Sequence, residues 1–185
     1  MSLSADARAV LEAWEAPDGP QESLRASYLE HLEMHPDGMF RDSHPDHLTA
    51  SALVVSHDHR GAAFILHKIL GRWLQTGGHC EPGDATLAGA ALREAREETG
   101  IHDLDIDPVP VFLSRHEVPC GPLRPAHHLD VQFVAVAPAG AQLVMSEESI
   151  DLGWFALDDP PDPTDQSVRD LIAAASSRLR GTPSP

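Results

Sequence analysis

A glycine-rich segment followed by a helix with three glutamates on one face is the feature that most constrains this sequence. Segment 77–84 reads GGHCEPGD and is predicted to be a loop, and the Ala- and Leu-rich stretch 86–100 predicts a helix that ends at a glycine. Glu94, Glu97 and Glu98 stand at positions i, i+3 and i+4, so their Cβ atoms lie within about 6 Å of each other. Like charges at this spacing repel each other. The helix dipole also disfavours anions near the C-terminus of the helix, where these three glutamates lie. Such a helix is expected to bind a hard divalent cation, Mg²⁺ or Mn²⁺.

A solvated charged face is the ordinary alternative for an isolated pattern of this kind. The adjoining glycine segment argues against it, because residues 93–101 read REAREETGI and, with the preceding glycines, resemble the Nudix box. That motif is G-x5-E-x7-R-E-U-x-E-E-x-G-U, in which U is a bulky aliphatic residue. The resemblance implies the Nudix fold and a metal-dependent hydrolase that cleaves a diphosphate linkage in a nucleoside diphosphate joined to another moiety.

The same resemblance implies roles for individual residues. Metal ligands would be Glu94, Glu97, Glu98 and the backbone carbonyl of Gly77, with Mg²⁺ or Mn²⁺ as the cofactor. Arg93 would orient the carboxylates through charge-assisted hydrogen bonds. Arg93, Glu97 and Glu98 are the expected catalytic residues of this segment.

The sequence departs from the motif in three respects, two substitutions and one insertion. Ala95 is small where the pattern has a bulky aliphatic residue, and Asp84 replaces the first glutamate. Eight residues, rather than seven, separate Asp84 from Arg93. We interpret the extra residue as an insertion at the junction of loop and helix that leaves the site intact. The resemblance implies that this acid contacts Arg93.

The general base has two candidates. Glu98 could accept the proton of the attacking water, but many Nudix enzymes use an acid from a later loop. Glu147 and Glu148 occupy such a place just before a predicted strand, and Glu148 is the preferred candidate. Two solvated loop acids are the alternative interpretation.

Two further residues are predicted to contact the substrate. His79 lies inside the glycine segment and is expected to contact phosphate, with a loop-packing role as the alternative. Asp130 alternates with the apolar residues of the predicted strand 127–137, so we expect it to face a substrate cleft.

Two weaker hypotheses are a zinc site and an isomerase with the same fold, like isopentenyl-diphosphate isomerase, which also uses a cysteine. His116, His127, His128 and Cys80 offer zinc-ligand chemistry, but no C-x2-C or H-x3-H spacing supports such a site. We expect these imidazoles to line the cleft or to form hydrogen bonds at strand ends. Cys80 lies in the glycine segment and matches no isomerase active-site motif.

The remaining patterns predict an α+β protein with a mixed sheet sandwiched between helices. Residues 1–45 are predicted to form a helical segment packed on the main domain, and residues 46–182 the Nudix domain. Short apolar runs predict strands at 51–56, 62–67, 72–76, 109–118, 127–137 and 150–157. A closing helix is predicted at 167–180.

Charge and cysteine content limit the partners. The formal net charge of −16 disfavours binding to nucleic acid or to an anionic membrane, but not to a small nucleoside diphosphate held through a metal ion. Two cysteines and no signal-peptide core predict a cytoplasmic protein. A homodimer is common in the family that the sequence resembles, and no pattern here tests it. The rival hypothesis is a Nudix-fold ligand-binding or regulatory module without turnover.

Overall fold

The computed structural model of the chain describes residues 2–118, 125–146 and 149–181. Four helices and eight strands follow one another in this part of the chain: α1 (Leu3–Ala13), α2 (Gly19–Met34), β1 (His47–Val55), β2 (Gly61–His67), β3 (Trp73–Leu74), β4 (Thr76–His79), α3 (Leu87–Thr99), β5 (Asp105–Ile106), β6 (Phe112–Val118), β7 (Ala126–Val136), β8 (Ser149–Ala156) and α4 (Gln166–Gly181).

All eight strands belong to one mixed sheet built around β1 and β7. These two strands are parallel over nine residue pairs, from His47 opposite His128 to Val55 opposite Val136. Every other pairing is antiparallel: β4 and β2 pair with β1, β6 and β5 with β7, and β3 and β8 with β2. The α+β class and the mixed sheet are therefore confirmed.

Helices cover both faces of this sheet. On one face, α1, α2 and α3 form a core with alternate residues of β1, such as Leu48. On the other face, α4 packs against the residues between them, such as Leu53. Because successive strand residues point to opposite faces, β1 is buried along its whole length.

The N-terminal helices are joined to the sheet by buried hydrogen bonds. The Gln21 side chain exchanges two hydrogen bonds with the backbone of Leu113, at 3.0 and 2.8 Å. The Tyr28 hydroxyl donates to the carbonyl of Ser114 at 2.9 Å. Helix α2 therefore packs on β6 as a fixed element, while the boundary between residues 45 and 46 stays a prediction. In the described part of the chain, every helix is too short or too polar to span a bilayer.

Capping residues define the ends of α3. The Thr86 side chain accepts a hydrogen bond from the Gly89 N–H, and Gly100 ends the helix in the left-handed region at φ 71°. The helix therefore occupies the segment that the sequence predicts.

The prediction of a loop throughout 77–84 is wrong in its first part. Thr76–His79 forms β4, which pairs with β1 so that Gly77 lies opposite Ser51. A Cβ on Gly77 would lie 2.7 Å from the Ser51 Cα, so glycine allows the two backbones to approach. Glycine occurs less often in β-strands than most residues do, so the sequence pattern alone indicated a loop.

Candidate active site

Arg93 on α3 is the centre of the site. Its Nη1 donates to the carboxylates of Glu94 at 2.9 Å and Glu97 at 3.3 Å, and its Nη2 donates to the His79 carbonyl at 3.0 Å. Hydrogen bonding to Asp84, followed by that to Glu94, raises the pKa of Arg93 above its ordinary value. The guanidinium therefore stays charged and joins the helix to β4 and to the loop after it.

Asp84 contacts Arg93 despite the extra residue in the motif. Its two carboxylate oxygens accept from Arg93 Nε at 3.1 Å and Nη2 at 3.0 Å, which is a bidentate pair. The same carboxylate accepts from the Glu81 N–H at 2.7 Å, so the longer loop folds back onto the arginine. Burial by itself would raise the pKa of Asp84, but these hydrogen bonds outweigh burial and lower that pKa.

The three glutamates differ in exposure. Glu98 is buried, and its Oε2 accepts from the Gly77 N–H at 2.9 Å, which brings the main chain of Gly77 to the glutamate face. The Glu94 side chain is 16% exposed, whereas that of Glu97 is 59% exposed. One edge of this carboxylate group is therefore open to solvent and the other is fixed against β4.

Glycine at position 78 makes room for Glu94. A Cβ on Gly78 would lie 2.5 Å from the Glu94 carboxyl carbon and 2.6 Å from its Oε1. The carboxylate thus occupies the volume that any other side chain at position 78 would fill.

The Gly78→Ala variant is therefore expected to displace the Glu94 carboxylate while the fold is kept, because only the end of a flexible side chain has to move. We expect Mn²⁺ affinity to fall by about 10-fold or more, as when metal-site geometry is disturbed through neighbouring residues. Gly83→Ala is the matched control, because a Cβ there would have no atom within 4 Å. Mn²⁺ titration of both variants tests the expectation, and equal affinities would contradict it.

The donor set fits a hard divalent cation. Glu94 and Glu97 pair with Arg93, and Glu98 lies against Gly77 on the same helical face. The Glu97 carboxylate faces solvent, from which an ion can enter. Mg²⁺ and Mn²⁺ prefer oxygen ligands of this kind. The ligand roles predicted for Glu94, Glu97, Glu98 and the Gly77 carbonyl are compatible with this placement and stay predictions.

His79 lies beside two other histidines. Its Nε2 is 3.2 Å from Nε2 of His128, and its ring stacks on that of His47 with centroids 5.1 Å apart. Burial, reinforced by the neighbouring imidazole, lowers the pKa of His79 to about 4 and that of His128 to about 3. Both rings are neutral at pH 7. Contact of His79 with phosphate stays a prediction.

Asp130 is buried rather than exposed in a cleft. It is 2% exposed, and its carboxylate accepts hydrogen bonds from Thr49 at 2.9 Å, Ser51 at 2.8 Å and Gln132 at 2.7 Å. These bonds join β1 to β7 directly behind Gly77, which lies opposite Ser51. The carboxylate therefore supports the strand that carries the glycines, and its contact with a substrate stays a prediction.

Glu148, the preferred general base, lies outside the described residues, as does its neighbour Glu147.

Cys80 is 5% exposed, and burial raises the pKa of its thiol to about 12. A thiol that stays protonated at neutral pH is a poor nucleophile or acid–base group, which argues against the isomerase hypothesis.

Sequence reasoning did not identify His47 as a candidate site residue. It begins β1, and no motif includes it; only its position opposite His128 across the sheet brings it to the cluster. The number of histidines, 12 in the chain, was the available signal, but it does not tell which of them meet.

The family of the chain follows from its sequence match. The model of the NUDIX domain matches residues 45–175. The chain belongs to this family. A search of the curated protein sequences found no match.

Solved structures with the Nudix fold resemble the chain over most of their length. An Ap4A hydrolase from C. elegans superposes with a TM-score of 0.63 at 18% identity, covering 73% of this chain and 98% of that one. The E. coli dihydroneopterin triphosphate pyrophosphohydrolase gives 0.56 at 17% identity, covering 70% and 92%. The NUDIX domain of Shewanella oneidensis NrtR, complexed with ADP ribose, gives 0.53 at 19%, covering 71% and 87%. At these identities the likeness shows the fold.

Proposed function

We propose that this Nudix protein is a Mg²⁺- or Mn²⁺-dependent hydrolase that cleaves a diphosphate linkage in a nucleoside diphosphate joined to another moiety. The observation that carries the proposal is the Arg93 cluster, in which one guanidinium contacts Asp84, Glu94 and Glu97. Because this arginine fixes the carboxylates beside an edge that is open to solvent, it positions oxygen ligands of the kind that a divalent cation prefers.

Each residue of the cluster has a distinct part in this proposal. Glu94, Glu97 and Glu98, with the Gly77 carbonyl, would hold the divalent ion. When bound, such an ion neutralises phosphate charge and lowers the pKa of a coordinated water. Arg93 holds the carboxylates in place before the ion arrives, which lowers the cost of bringing like charges together.

The proton of the attacking water requires a base. Glu98 is buried, and one of its oxygens already accepts from the Gly77 N–H, so its geometry suits a fixed ligand better than a group that gains and loses protons. We therefore assign the base to Glu148 and keep Glu98 as the alternative.

The names of the similar structures support the substrate class. One is an Ap4A hydrolase, and another holds ADP ribose. Both compounds contain a nucleoside joined through phosphoanhydride groups to a second moiety. For this chain, the proposal is a small-molecule substrate of that class, hydrolysed in the cytoplasm by a protein that does not bind nucleic acid or membranes.

The test is a panel of nucleoside diphosphate compounds assayed for release of phosphate or nucleotide with Mg²⁺, Mn²⁺ or EDTA. We expect turnover of at least one compound with either metal and its loss in EDTA, because the carboxylates alone cannot neutralise the phosphate charge. Tight binding of one compound without metal-dependent turnover of any would contradict the proposal and favour the regulatory module. Sedimentation of the same preparation tests for a homodimer.

A further inference from the structure

Three histidines from three strands meet on one face of the sheet. His47 on β1 lies directly opposite His128 on β7, and His79 on β4 lies opposite Thr49, two residues along β1 from His47. The ring centroid of His47 lies 5.1 Å from that of His79 and 4.9 Å from that of His128, and the last two are 4.9 Å apart. We infer that His47, His79 and His128, named here the histidine triad, form a second metal site, for a divalent transition-metal ion of the Zn²⁺ type.

His47 provides the strongest argument for a ligand. Its Nδ1 lies 3.1 Å from the carbonyl oxygen of Pro45 and 3.3 Å from that of His44, so Nδ1 carries the proton. The other nitrogen, Nε2, then presents a lone pair, and it is buried with no hydrogen-bond partner among the described residues. Because the residue is 2% exposed, bulk water does not satisfy this atom. A backbone carbonyl that fixes the tautomer in this way is the usual support for a metal-binding histidine.

The spacing of the nitrogens suits a tetrahedral ion. One potential ligand atom from each ring lies within 4.8 Å of the other two. Zinc–nitrogen bonds of about 2.0–2.1 Å place two ligand nitrogens about 3.3 Å apart in a tetrahedral site. His79 Nε2 and His128 Nε2 are already 3.2 Å apart, so this pair has the spacing of two zinc ligands. His79 and His128 are half-buried, which leaves an entry path, and three protein ligands leave the fourth position for water.

A hydrogen bond between His79 and His128, without a metal ion, explains the contact of these two rings but not the position of His47. Such a bond uses one nitrogen of each of these rings, but it leaves the buried His47 Nε2 without a partner. A bound ion accounts for all three rings together.

The histidine triad is separate from the glutamates in position and in chemistry. Strand residues alternate between faces, so His79 points away from the face on which Gly78 meets Glu94. Imidazole nitrogens select zinc, copper, cobalt or nickel, whereas carboxylates suit Mg²⁺ and Mn²⁺. Excess Mg²⁺ can therefore occupy the glutamates while the triad stays open to Zn²⁺.

The test is equilibrium dialysis of the full chain against Zn²⁺ in the presence of excess Mg²⁺. We expect one Zn²⁺ per chain and an affinity that falls by about 100-fold or more in the His128→Gln variant, because a direct ligand matters at least as much as its supporting groups. The matched control is His127→Gln, which alters the adjacent residue of β7, whose ring contacts Asp46 at 3.0 Å instead. Its Zn²⁺ affinity should equal that of the wild type.

Two results would overturn the inference: no Zn²⁺ bound while Mg²⁺ is in excess, or equal affinity in the wild type and in His128→Gln. Circular dichroism checks that the variant is folded, and His79→Gln takes its place if it is not. Co²⁺ bound to the unmodified chain gives an independent measurement, because a tetrahedral nitrogen site produces intense visible absorption and an octahedral carboxylate site does not. Weak absorption in Mg²⁺ excess counts against the triad.

Discussion

Replacement of Glu97 with glutamine is expected to lower turnover by at least about 100-fold, because a lost metal ligand costs no less than a lost supporting group. The change keeps the shape of the side chain but removes the charge that a divalent cation needs. The Glu97 carboxylate is 59% exposed and lies 3.3 Å from Arg93 Nη1, so it is the member of the glutamate group most accessible to an incoming ion. The kcat on a substrate found with the compound panel measures the effect, and Mn²⁺ titration measures it without any substrate.

The control for this prediction is Glu81→Gln. The Glu81 side chain is 64% exposed and lies 3.9 Å from the same Arg93 nitrogen, but it precedes α3 and is not part of the glutamate face. Both changes remove one exposed carboxylate near Arg93, and each should alter the free energy of unfolding by less than about 0.5 kcal/mol. Equal activity and Mn²⁺ affinity in the two variants would show that Glu97 is not a metal ligand.

Replacement of Arg93 with methionine is expected to destabilise the fold by about 2–4 kcal/mol, because it leaves the Asp84 carboxylate without its cation. The Asp84 side chain is 7% exposed, and its bidentate pair with Arg93 joins the loop to α3. The loss of unfolding free energy should lie toward the lower end of this range, because Arg93 is 22% exposed and solvent partly screens its charge. Urea unfolding followed by circular dichroism measures the change.

The Arg8→Met variant is the control for the loss of an arginine from a helix. Arg8 pairs with Glu12 at 3.7 Å on the surface of α1, with side chains 38% and 59% exposed. Exposed pairs of this kind contribute about 0.3–0.5 kcal/mol, so this variant should stay close to the wild type. An Arg93 variant that is no less stable than the Arg8 variant would show that the pair with Asp84 does not hold the loop.

The pair of Arg93 and Asp84 also predicts how the free energy of unfolding depends on pH. The pKa of Asp84 is lowered in the folded chain, so its contribution to stability is complete above the ordinary aspartate pKa of about 3.9. That contribution is lost as the pH falls through the lowered pKa. The difference in unfolding free energy between the wild type and Arg93→Met should therefore shrink below about pH 4.

Elements with local signals were predicted well. Helix α3 begins after Thr86 and ends at Gly100 because capping depends on side chains within one turn. The short apolar runs that predict strands at 51–56 and 62–67 overlap β1 and β2, which pair with each other. β4 was missed because its pairing depends on the close approach of Gly77 to β1, which a propensity scale does not include.

The family, the α+β class and the placement of Glu94, Glu97 and Glu98 on one helical face follow from the amino-acid sequence without the structure. Helical periodicity makes that placement a local property, so no knowledge of the rest of the chain is needed. Tertiary structure alone decided the contacts between residues distant in sequence: the buried position of Asp130, and His47 beside His79 and His128. It also decided that the longer loop folds Asp84 back onto Arg93. Register between strands and the path of a loop are set by the packing of the whole sheet, which spacing along the chain does not encode.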